Sequence, residues 1–224
     1  MEKKNQWLVS LGEDNSYWPE ENYDCNPSVI NFEYEVLRDL AKKGNLYGVF
    51  LQIKDVFELV MKIPCVMGMI IVNSNPPDDS KPYFEIMNQA LSKPLAMGDW
   101  NALAGVLYKY RSEARLPADL VKIIDKTRKL YNKKPFGTDM TIPAWRNQTI
   151  GHGALRFEDD PAFGQEITVL LGILKQYFQE DLGRLYETLY IEADGVRLTG
   201  SRISFDSEAD ALLHTENNTY PVNE

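Results

Sequence analysis

Of the two histidines in this 224-residue chain, His152 lies six positions after Arg146, and Asn147 directly follows the arginine. The three side chains are complementary. An arginine offers a planar, permanently charged fork that binds two oxygens of an anion at once. A histidine, with an ordinary pKa of about 6.5, exchanges protons near neutrality. An asparagine supplies hydrogen bonds to either. Pro143 suits the first turn of a helix, where its missing N–H costs nothing. Gly151 and Gly153 bracket the histidine and tolerate the left-handed conformations that end helices. The spacing therefore predicts a short helix over Pro143–Ile150 that presents Arg146 and passes the chain to His152. Six residues is about 1.7 turns, so an unbroken helix would hold the two side chains apart; the glycines free the backbone to bring them together.

A second constellation sits in the most apolar stretch of the chain. Glu58 and Lys62 are four residues apart, on one helical face, within an otherwise hydrophobic run. They can form an ordinary surface i,i+4 pair. Buried without partners, such charges cost several kcal/mol, roughly, so inside a core they would call for company, and Arg146 and Asn147 are candidates. A third feature is a basic run: Lys122, Lys126, Arg128, Lys129, Lys133 and Lys134, opposed only by Asp125. It can attract phosphates or be a solvated helix face. The net charge of −9 is concentrated at the ends. Residues 1–24 hold two lysines against six acids, and residues 189–224 two arginines against seven acids, leaving the middle near neutral.

The run Arg146-Asn147-Gln148-Thr149-Ile150-Gly151-His152 resembles the Arg-x(4–6)-His motif of HEPN domains, small helical domains of prokaryotic toxins and defence proteins. Glu58-x-x-x-Lys62 resembles a Glu-x(3)-Lys feature that some of those families carry on an inner helix, although a second basic residue often follows there and Ile63 stands here. The resemblance implies metal-independent endonuclease action on RNA: the 2′-OH attacks the adjacent phosphate and leaves a cyclic phosphate and a 5′-OH. It makes Arg146, Asn147 and His152 catalytic and Glu58 and Lys62 supporting. It also implies a homodimer whose two motifs line one cleft, without cofactor or metal. An antitoxin or effector partner would accompany such a module, and the sequence does not identify one. RNA would be tracked by Lys126, Arg128, Lys129, Lys133 and Lys134. The other reading keeps the fold without catalysis, as a dimerising or nucleotide- or RNA-sensing module.

The elements around these residues read as helices. Asn26-Pro27 predicts an N-cap and first helical residue for a helix to Lys43, closed by Gly44. Leu46 to about Asn73 predicts the central buried helix, kinked or split at Pro64. Shorter helices are expected over 82–91, 99–110 and 117–132, and a long one over 162–189. Asp194-Gly195 between Leu189–Ala193 and Val196–Leu198 is a strong hairpin signal, with further short strands at 203–205 and 212–214. A lone hairpin is marginal, so it must pack on the helices or begin a further domain. The expected architecture is mainly α: an irregular arm over 1–25, a HEPN-like helical bundle over 26–188, and a small C-terminal β-hairpin extension over 189–224, with a longer protein suspected beyond it. Two cysteines forty residues apart suggest no disulfide framework and fit a reducing cytoplasm. No signal-peptide core precedes the body. Phosphate-loop, dinucleotide, zinc-protease and nucleophile-elbow motifs are absent.

Overall fold

A computed structural model describes residues 5–18, 26–78, 81–92, 94–136, 139–149, 161–182, 184–193, 196–198 and 211–222. The chain is mainly helical. In order it forms α1 (Gln6–Glu13), a 3-10 turn at Asn15–Tyr17, α2 (Ser28–Lys42), α3 (Leu46–Ser74), α4 (Lys81–Ser92), α5 (Met97–Lys109), α6 (Ala118–Tyr131), α7 (Ile142–Thr149) and α8 (Pro161–Gln176). A wider π-type segment, Tyr177–Leu182, continues α8. Four strands follow: β1 (Tyr190–Ala193), β2 (Val196–Leu198), β3 (Ala211–His214) and β4 (Thr219–Pro221).

The bundle is built around α3. Asn45 opens that helix by accepting a hydrogen bond from the Gly48 amide at 2.9 Å. The helix then buries residues on nearly every side, among them Phe50, Ile53, Phe57, Val60, Met67 and Ile71. An all-round apolar helix is stable only as the centre of a core. Helices α2, α5, α6 and α8 pack around it, and β4 packs against it as well. Each large aliphatic or aromatic side chain buried there contributes about 1.5–3 kcal/mol. This surrounding packing explains why α3 runs unbroken through Pro64, where a kink or a split was expected. A mid-helix proline removes one hydrogen bond and costs about 3 kcal/mol, which a few such contacts offset.

The N-terminal arm is a correction to expectation. Residues 6–13 are helical rather than irregular, and they lie on α2. The reason is a close approach: a Cβ at Gly12 would lie 2.5 Å from the Lys42 amide nitrogen, so only glycine fits there. Leu8 and Trp18 are fully buried, and the Trp18 indole donates to the Leu11 carbonyl at 2.9 Å. Two boundaries also move. Pro27 is itself the cap of α2, with Ser28 the first helical residue. The long helix expected to 189 gives way to the π-type segment at Tyr177. Gly44 ends α2 as read, with φ at +63°.

The C-terminal strands form one antiparallel sheet in the order β2-β1-β3-β4. Ala193 pairs with Val196, as a two-residue hairpin requires, though Asp194 and Gly195 themselves lie outside the described residues. Leu213 and Tyr220 join the same buried cluster as the helices, so the hairpin takes the first of its two options and packs on the bundle. The strand candidate at 203–205 lies outside the described residues. Among those described, no helix is long and apolar enough to cross a membrane.

Candidate functional site

Helix α7 presents the arginine, and its own packing fixes where it points. The Trp145 amide donates to the Thr141 carbonyl at 2.8 Å, starting the helix one residue ahead of Pro143, which occupies the first turn as expected. Ile142 and Trp145, three apart and therefore on one face, are both buried. The Trp145 ring meets Phe50 of α3 edge-on, with centroids 5.1 Å apart, and Phe136 at 6.0 Å. Its indole N–H donates to Glu166 Oε2 of α8 at 2.9 Å. The tryptophan thus ties α7 to α3 and α8 together.

The residue after that anchor is Arg146, and it turns toward α3. Its Nη2 lies 3.8 Å from Glu58 Oε1, and its Nη1 donates to Asn147 Oδ1 at 3.1 Å. The other oxygen of the same carboxylate, Glu58 Oε2, accepts from Lys62 Nζ at 3.0 Å. One carboxylate therefore faces two cations from two helices, leaving a local excess of one positive charge. Glu58 is the most enclosed of the three, with its side chain 16% exposed against 27% for Arg146 and 36% for Lys62. The Arg146 Nε is buried and has no hydrogen-bond partner among the described residues. Asn147 is exposed.

Beneath this cluster, the Tyr131 hydroxyl donates to the carbonyl of Phe57, the residue before Glu58. Burial, and then the nearby Glu58 charge, push the Tyr131 phenol well above its ordinary range. It is therefore a neutral donor that pins α6 to α3 directly under the carboxylate. Thr127, one turn back on α6, is buried and shares a 2.6 Å hydrogen bond with the Tyr177 hydroxyl.

Of the residues singled out from sequence, the structure brings together Arg146, Asn147, Glu58 and Lys62. His152 lies outside the described residues, with Gly151 and Gly153. The basic run is largely engaged by other residues of its own chain. Lys129 pairs with Asp125 at 2.7 Å, Lys122 with Asp119 at 2.9 Å and Lys134 with Asp139 at 2.7 Å. Lys133 donates to Gln176 at 3.3 Å. Arg128 lies over the Tyr108 ring, 5.2 Å from its centre, rather than out in solvent. Lys126 is partly buried on the same helix. His214, the other histidine, is partly buried: it stacks on Tyr190 at 4.6 Å, and its Nδ1 is 3.1 Å from Thr219 Oγ1.

Sequence reasoning missed Glu166 and Tyr131. Nothing in the spacing marks Glu166, which bonds to Trp145 across twenty-one positions. Tyr131 sits at helical spacing among Ile124, Thr127 and Leu130, where it reads only as core. Among known proteins, no family model matches this chain, and no curated protein or solved structure matches it either.

Proposed function

We propose that this chain is a metal-independent endoribonuclease module of the HEPN type, acting in a toxin or anti-phage system as a homodimer. The observation that carries the reading is the condition of Arg146: it is positioned by α7 and Glu58 but not saturated. Its ion pair at 3.8 Å is longer than a hydrogen bond, and among the described residues only Asn147 hydrogen-bonds to it, through one N–H group. An arginine oriented in this way retains donors for the oxygens of a phosphate.

In the proposed reaction His152 accepts the proton of a ribose 2′-OH. The 2′-oxygen attacks phosphorus, the bond to the 5′-oxygen breaks, and the leaving oxygen takes a proton from the second protomer's histidine. The products are a 2′,3′-cyclic phosphate and a 5′-OH. Arg146 stabilises the charge building on the non-bridging oxygens. Glu58 orients the arginine, Lys62 shares that carboxylate, and Asn147 holds Nη1. The lysines of α6 and the following loop, with Arg128, would meet the RNA backbone.

One observation favours the non-catalytic reading: Lys122, Lys129 and Lys134 already face acids of their own chain. Incubating the purified protein with labelled RNA in EDTA separates the two. Cleavage by the wild type, lost in both Arg146→Ala and His152→Ala, supports the enzyme. A dimeric wild type that leaves RNA intact, even when the variants fold alike, sinks it in favour of a binding module.

A further inference from the structure

About 20 Å along α6 from Tyr131, at the helix's first turn, a cavity of about 580 Å³ opens between the loop 110–117, Thr188 and the β3–β4 turn. Its volume lies in the range of small-molecule sites. Two arginines line it, Arg111 and Arg115, and neither has a carboxylate partner among the described residues. Arg111 is held in place. Its Nη1 donates to the Tyr108 carbonyl at 2.6 Å, and its guanidinium lies over the Tyr108 ring at 4.3 Å. Those two contacts leave its remaining N–H groups unassigned. Arg115 adopts a φ of +54°, a left-handed conformation that a residue with a Cβ rarely takes, and its side chain is exposed at the cavity.

The rest of the lining discriminates among anions. Helix α6 begins at Ala118 behind Pro117, which supplies no side-chain cap, so its first-turn amides point outward unbonded by a capping side chain. Asp119, also in the lining, is already engaged: one oxygen accepts from Lys122 at 2.9 Å and the other from Thr188 at 3.3 Å. Its charge is thus partly neutralised. Glu216 and Asn217 stand exposed on the opposite rim. A carboxylate beside an amide suits a pair of sugar hydroxyls, which donate to the one and accept from the other.

We propose that this cavity binds a ribonucleoside phosphate, with the phosphate on Arg111, Arg115 and the first turn of α6 and the ribose hydroxyls on Glu216 and Asn217. The site is separate from the Arg146 cluster and does not depend on cleavage there.

Calorimetric titration of the full chain tests it, using AMP, inorganic phosphate and a 2′-O-methylated RNA oligomer that 2′-OH chemistry cannot cleave. AMP should bind, and inorganic phosphate about tenfold more weakly, because it lacks the ribose contacts. Arg115→Gly should weaken AMP by about tenfold or more. It should leave the thermal midpoint unchanged or raised, since glycine adopts positive φ without strain. Glu216→Gln should weaken AMP while leaving phosphate binding as it was. No AMP binding at millimolar concentration, or an Arg115→Gly protein that binds AMP like the wild type, overturns the proposal. So does phosphate binding as tightly as AMP. RNA binding weakened by Arg115→Gly with no AMP binding would make the cavity part of a backbone track instead, and would equally end the nucleotide assignment.

Discussion

Glu58 serves two cations with one carboxylate, and this asymmetry lets a single substitution probe it. The Lys62 bond lies within one helix, whereas the Arg146 contact joins α3 to α7. Glu58→Gln keeps the volume and an acceptor oxygen but removes the charge that both cations face. Because the pairs are partly exposed, the stability loss should be small, about 0.5–1 kcal/mol. Cleavage should fall by about tenfold or more, because a 1 Å displacement of a positioning cation costs that much or more. Full activity in Glu58→Gln would show that the carboxylate does not position Arg146. Tyr186 permits an opposite kind of test. Its hydroxyl is fully buried with no hydrogen-bond partner among the described residues, so Tyr186→Phe removes an unsatisfied group and should be neutral or stabilising by about 1 kcal/mol in urea unfolding. A clear loss of stability would mean that the hydroxyl has a partner.

The helices were legible wherever a local signal marked their ends. Gly44, Pro117 and the apolar period of α3 are visible in a few residues of sequence, and the elements begin and end close to them. Element α1 was not legible, because its eight residues show too little period and its stability comes from α2. Gly12 is the test. The Cβ of Gly12→Ala would press against the backbone of Ala41 and Lys42, which cannot retreat as a flexible side chain could. Such overpacking costs about 1–3 kcal/mol. Amide exchange over residues 6–13 should then accelerate far more than exchange in α3, and equal acceleration in both would deny α1 its separate docking. The site was half legible for the same reason. Arg146 and the pair Glu58 and Lys62 announce themselves by charge in apolar company. The Trp145–Glu166 bond that aims α7 depends on two helices meeting, which no local pattern encodes.

At the scale of the whole molecule, several buried acids that titrate at high pH make its stability sensitive to alkali. Burial pushes Cys65 up from an ordinary 9.0, and Tyr83, Tyr131 and Tyr186 up from 10.0. Each folded-state value lies above the unfolded one. The contribution is therefore intact below the unfolded pKa and is lost as pH rises from there toward the folded value. Urea midpoints should be level to about pH 9 and fall with growing slope beyond it, and Tyr186→Phe should flatten that fall. A profile flat to pH 11 would contradict the burial of these groups. Charge at long range gives another molecular property. If three or four phosphates are neutralised by the basic run, RNA affinity should drop roughly a hundredfold between 50 and 500 mM salt. The double variant Lys133→Glu with Lys134→Glu should flatten that dependence, and an unchanged slope would leave these lysines to Gln176 and Asp139 alone.

The docking of β4 on α3 also sets an order of events during synthesis. The central helix is translated early, and the strand that covers part of it comes some 150 positions later. Until then the nascent chain carries an apolar strip with no cover of its own, which is the kind of surface that chaperones hold. The last turn of the sheet is thus a closing step for the bundle, and a ribosome stalled before Thr219 would display a helical body with that strip still open.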